Sequence, residues 1–423
     1  MSLKITGGRL LDPANGVDKK TNVFISKGKI VGIGKGPAGF KARRTIDATG
    51  KIVCPGLVDL ATRLREPGEE HKATIKSETR AAASAGITTL CCLPDTDPII
   101  DTPAVAELIH QRADEAGYAR VVCLGSMTQG LGGELLAEMG ALGAEGCVGV
   151  SNANIPIVNT DVLRNAIEYA ASCGLTVFLH AEDRWLAGDG CMHEGAVSAR
   201  LGIPGIPETA ETVCVSRDLL LLEQARARGH FGRISTARAT AMLGAAQRRG
   251  LPVSADVAAH QLFLTEQDVG AYDSNFHVRP PLRTRADRNA LRKALNSGVI
   301  RIICSDHQPH DIDAKTAPFS ATLPGISALE TLLPLTLKLV EEDVLDLSSA
   351  IAAVSAEPAH ALGLKIGQLS LGATADVCIF DPKEEWQLSG REMTSAGKNS
   401  PFLGTTFKGR VHHTILAGRV VHG

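Results

Sequence analysis

The sequence predicts an α/β protein, built as a (β/α)8 TIM-type barrel with a small β-sandwich domain formed by both termini. Both ends of the chain alternate short strands with tight turns, whereas the middle alternates short apolar runs with longer helical stretches. Repeated strand–helix units over about 300 residues favour a closed barrel over an open doubly wound sheet. The first strand is not followed by the G-x-G-x-x-G fingerprint of a dinucleotide-binding fold. The predicted domains are 1–53 with 367–423 for the β-sandwich, and 54–366 for the barrel.

The terminal segments predict the β domain. Residues 23–25 and 30–33 are apolar runs separated by a Lys-Gly-Lys turn, which is the pattern of a hairpin. Near the other end, 376–380 predicts a strand and 414–421 a second hairpin. Each end alone has too few strands for an independent core, so we expect the two ends to pair in one domain.

Between the ends, strands and helices alternate. The helices include Pro103–Ala116 and Thr160–Ser172, which are rich in Ala, Leu, Arg and Glu. We take the segment 55–68 to follow the first barrel strand. Residues just after each barrel strand lie at the C-terminal face, where active sites are built. The further predicted strands are 87–90, 121–124, 148–150, 177–179, 253–255 and 300–304.

Composition excludes several classes of protein. A formal net charge of −2, with both signs spread along the chain, gives no electrostatic reason to expect nucleic acid or a membrane as partner. The N-terminus lacks the charged and then apolar pattern of a secretory signal. The ten cysteines include no C-x-x-C pair, which argues against a zinc ribbon or a redox motif. Reduced, buried thiols in a cytoplasmic protein are the expectation.

Five motifs occur in an order that resembles one family over essentially the whole chain. They are Leu-Arg-Glu-Pro-Gly at 64–68, Met-His-Glu-Gly at 192–195, Gly-Ile-Pro-Gly-Ile-Pro at 202–207, Asp-His-Gln-Pro-His at 306–310 and Asn-Ser-Pro-Phe at 399–402. Together they resemble the dihydroorotase family of the amidohydrolase superfamily. The resemblance implies a (β/α)8 barrel with a sheet domain from both termini, in agreement with the pattern of strands and helices.

Active members of that family open or close the cyclic amide of dihydroorotate with one or two zinc ions. A bound zinc ion polarises the carbonyl and lowers the pKa of its water to about 7. In this chain His180 matches one family ligand, and Asp306 matches a ligand and catalytic base. Methyl, amide and guanidinium groups replace the other ligands, so the resemblance implies neither activity nor a zinc cofactor here. The replaced positions are Ala61, Arg63, Asn152, Ala153 and Arg233.

The substrate pocket implied by the resemblance is altered as well. Arg65 and His310 match residues that contact substrate, whereas Asp95 and Arg279 replace asparagines. We expect Asp95 to repel a substrate carboxylate unless Arg279 neutralises it.

Two further expectations concern the remaining residues of the lost metal site. Asp306 should form an ion pair with Arg63 or Arg233, because a buried carboxylate without a partner is costly. His180 should be held by packing and hydrogen bonds, like many strand-end histidines.

Three functions remain open on these grounds. The first is a structural subunit, because degenerate dihydroorotase-like chains assemble with the catalytic chain of aspartate transcarbamoylase, the preceding enzyme of pyrimidine synthesis. The second is a hydrolase of another cyclic amide with a rearranged metal site. The third is a sensor that binds a pyrimidine precursor around Arg65 and His310 without turnover. The resemblance also implies a homo-oligomer.

Overall fold

The structure, a computed structural model, describes residues 2–270 and 272–423. Its strands are, in chain order, β1 (Ser2–Thr6), β2 (Arg9–Asp12), β3 (Val17–Lys20), β4 (Val23–Ser26), β5 (Lys29–Ile33), β6 (Arg44–Asp47), β7 (Ile52–Pro55), β8 (Leu57–Thr62), β9 (Ile87–Cys92), β10 (Arg120–Ser126), β11 (Gly149–Ser151), β12 (Val177–Leu179), β13 (Met192–His193), β14 (Gly205–Ile206), β15 (Gly229–Phe231), β16 (Val253–Ala258), β17 (Ile302–Cys304), β18 (Val377–Gln387), β19 (Thr406–Leu416) and β20 (Arg419–His422).

The α-helices lie mostly between the strands of the central region. They are α1 (Ile75–Ser84), α2 (Pro103–Ala116), α3 (Met139–Ala144), α4 (Thr160–Ser172), α5 (Arg184–Ala187), α6 (Ala196–Leu201), α7 (Thr209–Ala225), α8 (Ala237–Arg248), α9 (Arg285–Asn296), α10 (Leu329–Glu341), α11 (Leu347–Ala353) and α12 (Ala356–Ala361). No helix in the described ranges is long and apolar enough to cross a membrane.

Two sheets from both ends of the chain form the β domain. A four-stranded sheet has the order β5-β4-β1-β6, and a six-stranded sheet has the order β20-β19-β18-β7-β2-β3. The two ends of the chain meet where β18 pairs antiparallel with β7, with Cys378 opposite Cys54. Buried residues of both sheets, among them Ile5, Val53 and Ile415, share one apolar cluster. The predicted β-sandwich from both termini is therefore confirmed.

Eight parallel strands form the barrel, in the order β8-β9-β10-β11-β12-β15-β16-β17. A parallel bridge joins Thr62, at the end of the first strand, to His307, which lies three residues beyond the last strand. Apolar side chains such as Leu60, Cys91 and Phe178 fill the interior. Leu362, just after α12, belongs to the same cluster. Strands buried on both faces read as continuous apolar runs, which is why the pattern predicted a barrel.

The prediction about the first barrel strand was wrong. The segment 55–68 contains that strand, β8, instead of following it, and the run 52–55 is β7 of the β domain. A single residue, Gly56, separates the two strands, and both are buried throughout. A continuous buried run carries no alternation that would mark where one sheet ends and the next begins. The helix bounds predicted for α2 and α4 agree with the structure.

Candidate functional site

The residues singled out in the sequence converge on the C-terminal face of the barrel. Arg63 and Arg65 follow β8, and Asp95 follows β9. His180 follows β12 directly, and Asp306 lies two residues beyond β17. The parallel order of the strands brings these ends together, as it does in barrel enzymes generally.

Arg63 is the centre of one ion-pair network. Its guanidinium is 7% exposed, and its Nε donates a hydrogen bond of 2.7 Å to Oδ2 of Asp95. Its Nη1 lies 3.7 Å from Oδ1 of Asp306. Burial alone would raise the pKa of Asp95, but the charge and hydrogen bond of Arg63 outweigh it and hold that pKa below its ordinary value. Asp95 is therefore an ionised partner of Arg63.

Arg233 approaches the same carboxylate from the other side of the barrel mouth. Its Nη1 lies 3.7 Å from Oδ1 of Asp306, and its Nη2 donates to Oδ1 of Asn154 at 2.7 Å. The backbone N–H of Arg233 donates to Oδ1 of Asp256 at 2.6 Å, and Oδ2 of Asp256 pairs with Nε2 of His230 at 2.8 Å. The ion pair expected for Asp306 is present, and it involves both arginines.

The hydrogen bonds expected for His180 are absent. Both of its ring nitrogens are buried, and neither bonds to any group in residues 2–270 and 272–423. Burial, and then the positive charges of Arg233, Arg279 and Arg63, hold the pKa of His180 well below its ordinary value. The imidazole is therefore neutral, and the surrounding guanidinium groups offer it no acceptor.

The other positions at which the resemblance implied a replaced ligand offer no free donor atom to a metal. Ala61 and Ala153 are buried methyl groups. The side chain of Asn152 is committed to the protein, because its Oδ1 accepts from Thr128 at 2.8 Å and its Nδ2 donates to the carbonyls of Leu131 and Ile155.

Zinc does not fit this set of residues. A catalytic zinc site requires three protein ligands, and His180 and Asp306 supply two. The guanidinium groups of Arg63 and Arg233 both lie 3.7 Å from Asp306, and their positive charges also lower the pKa of His180, so they repel a cation at this place. Hydrolysis by the family's metal-bound water therefore has no basis in these side chains.

The residues expected to contact substrate are partly brought together. Nη2 of Arg65 lies 3.2 Å from Nε2 of His310, and its Nη1 donates to Glu69 at 2.8 Å. Arg65 and Asp95 line one cavity of about 190 Å³ together with Arg63. Burial, and then the charge of Arg65, lower the pKa of His310 to about 3.

Arg279 lies elsewhere. Its guanidinium forms a bidentate pair with Glu182, with Nε 2.9 Å from both carboxylate oxygens and Nη2 2.6 Å from Oε1. The hypothesis that Arg279 neutralises Asp95 is therefore wrong, since Arg63 fills that role. The sequence did not predict Glu182, two residues after His180 in the chain, as the partner of Arg279.

The backbone at the site is unusual. Arg65, Ala153, Arg233 and Asp306 all have positive φ, between 49° and 64°. Non-glycine residues rarely adopt this left-handed conformation, because it is strained, and the residues that do adopt it are concentrated at functional sites. The backbone thus has a geometry typical of active sites, while the side chains lack the metal ligands.

Buried carboxylates that the sequence reasoning missed hold the motifs together. Oε2 of Glu78 in α1 pairs with Nε2 of His307 at 2.8 Å and accepts from Ser395 at 2.7 Å. Glu78 lies three residues after Ile75 and four before Ala82, on the buried face of the helix. A charged residue on such a face requires a partner, so the pattern contained a signal.

Glu211 in α7 is a second buried carboxylate that connects motifs around the site. It accepts hydrogen bonds from Ser235 and Thr236, in the run that follows Arg233. The buried guanidinium of Arg283 joins this unit, since its Nε donates to Oγ of Ser235 at 3.0 Å and its Nη1 to the carbonyl of Ile206 at 2.9 Å. These bonds connect the Gly-Ile-Pro block with the strand end that carries Arg233.

Asn399 completes the scaffold near the C-terminus. Its Oδ1 accepts from the backbone N–H of His310 at 2.9 Å. Its Nδ2 donates to the carbonyls of Gln308 and Gly325, both at 3.0 Å. His307 and His310 thus lie in a hydrogen-bonded loop scaffold.

Known proteins resemble the chain over its full length. A sequence profile of the amidohydrolase family matches residues 52–421. A dihydroorotase-like protein of Pseudomonas aeruginosa is 50% identical over 422 residues, which is all of both chains. A dihydroorotase of Citrifermentans bemidjiense is 43% identical over 422 residues, again all of both chains.

A solved structure supports the fold independently. The L-hydantoinase (dihydropyrimidinase) of Arthrobacter aurescens superimposes with a TM-score of 0.89 over 99% of this chain and 96% of its own, at 24% identity. At that identity the likeness establishes the fold alone.

Proposed function

Because the chain belongs to the amidohydrolase family and is dihydroorotase-like over its length, we propose that it is a non-catalytic member of that group. Its role in this proposal is that of a structural subunit, which supports assembly and activity of aspartate transcarbamoylase.

One observation carries the loss of catalysis. The guanidinium groups of Arg63 and Arg233, at two former ligand positions, both lie 3.7 Å from the carboxylate of Asp306. A general base must be free to approach the proton it abstracts, and this carboxylate lies between two buried guanidinium groups instead. Asp306 therefore serves as an internal counter-ion in this proposal.

The structural role is supported by a contrast: the metal ligands of the family are replaced, whereas the buried hydrogen bonds that connect the surrounding loops are present. Glu78, Glu211 and Asn399 make full sets of buried hydrogen bonds around the site. Buried polar groups that remain satisfied indicate that the fold itself is maintained. The partner rests on analogy with other dihydroorotase-like chains, which is weaker support than the geometry.

The experiment measures mass in solution by light scattering, for this chain alone and mixed with the aspartate transcarbamoylase catalytic chain of the same organism. Transcarbamoylase activity is followed in parallel. The proposal expects a complex heavier than either component, with activity that appears or rises on mixing. If the mixture at micromolar concentrations shows only the masses of the two separate components, with unchanged activity, the structural role is refuted.

Metal content and hydrolysis of dihydroorotate test the loss of catalysis. Asp381, Glu384 and His412 of the β domain have possible ligand atoms within 4.8 Å of one another, so they could retain a metal unrelated to the barrel. His412→Ala is therefore the matched control for metal counts. Stoichiometric metal that persists in this variant, together with turnover, would favour the rearranged hydrolase instead.

A further inference from the structure

A large cavity opens at the N-terminal end of the barrel, opposite the residues that replace the metal ligands. Its volume is about 680 Å³, within the range of roughly 300–1,000 Å³ that is usual for small-molecule sites. Its wall includes the residues that directly precede five barrel strands, namely Val148, Thr176, Arg228, Pro252 and Arg301. Arg63, Asp306 and the other residues of the C-terminal face do not line it.

The cavity exists because the barrel is only partly covered at this end. Helix α12 has six residues and is therefore about 9 Å long. It packs against β8 and β17 and forms one wall of the cavity through Glu357, His360 and Ala361. A helix of this length covers part of the barrel end, and β11, β12, β15 and β16 start beside the space that it leaves.

The inner wall of the cavity is apolar. Ala255 and Ile302, which are 1% and 2% exposed, belong to it, so the cavity extends into the barrel interior. The larger apolar side chains of the wall are Val148, Leu251, Val253, Val299, Leu362 and Leu364. Such a wall favours a ligand with an apolar body, such as a ring, because burial removes that body from water.

The rim of the cavity carries an excess of positive charge. Arg228, Arg301 and Lys365 line it and are exposed, whereas Glu357 is the single carboxylate in the lining. Three cations and one anion give the lining a formal net charge of +2 when histidine is counted as neutral. None of the three cations forms an ion pair with a carboxylate in residues 2–270 and 272–423.

Both guanidinium groups are oriented by the backbone and keep donors for a ligand. Nε of Arg301 donates to the carbonyl of Gly298 at 3.2 Å, and Nη2 of Arg228 donates to the carbonyl of Gly174 at 2.5 Å. Their remaining N–H groups, and the ammonium group of Lys365, are available at the rim. A phosphate monoester has about two negative charges and three acceptor oxygens, which match the net charge and the donors.

We propose that the N-terminal end of the barrel binds an organic phosphate monoester. Its ring lies against the apolar wall, and its phosphate lies at Arg228, Arg301 and Lys365. Aryl phosphates and nucleoside monophosphates share this chemistry. The inference does not depend on the proposed function, because none of the residues that replace the metal ligands lines this cavity.

The test titrates the full-length chain into 1-naphthyl phosphate at about pH 8, where the phosphate is a dianion, and follows the fluorescence anisotropy of the naphthyl ring. The matched controls are 1-naphthol, which lacks the phosphate, and inorganic phosphate, which lacks the ring and is measured by displacement. We expect saturable binding of naphthyl phosphate with a Kd of about 10–100 μM, and binding of each control weaker by about tenfold or more.

Competitors distinguish the two sources of the ligand. Adenosine monophosphate and uridine monophosphate are each added to the complex with naphthyl phosphate. Displacement by either assigns the cavity to nucleotides, and displacement by neither assigns it to aryl phosphates.

Variants locate the site. Arg301→Ala and Lys365→Ala should each weaken binding of naphthyl phosphate by about fivefold or more, because a charge-assisted donor is lost. Ala361→Phe places a ring inside the cavity and should abolish binding. Lys293→Ala replaces an exposed lysine outside the cavity, and this matched control should leave the affinity within about twofold. Circular dichroism confirms that each variant is folded.

Binding of inorganic phosphate or 1-naphthol as tight as that of naphthyl phosphate would overturn the proposal. Unchanged affinity in both Arg301→Ala and Lys365→Ala, or in Ala361→Phe, would do the same, as would the lack of saturable binding. None of these outcomes depends on metal content or on the transcarbamoylase complex, so they test this cavity alone.

Discussion

Replacement of Arg63 by methionine tests whether the guanidinium stabilises the site as an internal counter-ion. Its Nε binds Asp95 at 2.7 Å, and its Nη1 lies 3.7 Å from Asp306. Methionine fills much of the same volume, so the change removes charge and hydrogen bonding more than packing.

The magnitude follows from the burial of the two partners. Removing one member of a buried ion pair costs about 3–5 kcal/mol, because the other charge is left uncompensated. The side chain of Arg63 is 7% exposed but that of Asp95 is 23% exposed, so water retains part of its hydration. We therefore expect a loss near the lower end, about 3 kcal/mol in the free energy of unfolding at neutral pH.

Urea unfolding followed by circular dichroism measures this loss. The set of proteins is the wild type, Arg63→Met, Asp95→Asn and the double variant, which form a double-mutant cycle. The double variant should be more stable than Arg63→Met, because asparagine leaves no unpaired charge. Arg249→Met is the surface control. Arg249 and Glu223 lie 3.4 Å apart and are both about half exposed, so loss of this pair should change the free energy of unfolding by less than about 1 kcal/mol.

Two outcomes would refute the reasoning. A loss for Arg63→Met no larger than that of the surface control would mean that Asp95 needs no counter-ion. Additive effects of Arg63→Met and Asp95→Asn would mean that the two side chains do not act as a pair.

Three further predictions concern other parts of the molecule. Burial raises the pKa of Asp218 from 3.8 to about 6, so the folded state favours the protonated acid, and about 3 kcal/mol of the free energy of unfolding is lost as pH rises from about 4 through 6. Urea unfolding at a series of pH values should show Asp218→Asn gaining stability relative to the wild type across this window. Parallel stability curves for the two proteins would contradict the prediction. Ala153→Gly should raise stability by about 0.5–1 kcal/mol, because glycine relieves the strain of φ 49°, whereas Ala141→Gly at an exposed position of α3 should lower it by a similar amount. Thermal unfolding that ranks the two variants otherwise would count against strain at residue 153. Asn399→Ala leaves three backbone groups without partners and should lower the free energy of unfolding by about 3 kcal/mol. Hydrogen exchange at the backbone N–H of His310 should become faster. Unchanged exchange there would show that the loop does not depend on this side chain.

The barrel and the β domain were predictable because their signals are local. The alternation of strands and helices fixed the fold class, and the bounds of α2 and α4 followed from Pro103 at one start and from a clear apolar period. The boundary between β7 and β8 was not predictable, since two sheets share one continuous buried run around Gly56.

The site was predictable in composition but not in pairing. The positions of Arg63, Arg233 and Asp306 at strand ends implied that they meet, and they do. Which arginine satisfies which carboxylate depends on side-chain reach across several strands, as Arg279 with Glu182 and Arg63 with Asp95 illustrate. Sequence spacing carries no information about such contacts. For the same reason the sequence could not predict that both ring nitrogens of His180 lack a hydrogen-bond partner among the described residues.

The pairing of β18 with β7 has a consequence for the time at which the chain folds. The N-terminal strands leave the ribosome first, but β7 waits for its neighbour until the whole barrel has been made. At about ten residues per second this interval is roughly half a minute. During it the free edge of β7, which carries Val53 and Cys54, can associate with other nascent chains. We therefore expect that synthesis slowed within the barrel, or truncation before Val377, lowers the yield of folded protein far more than the small size of the β domain would suggest.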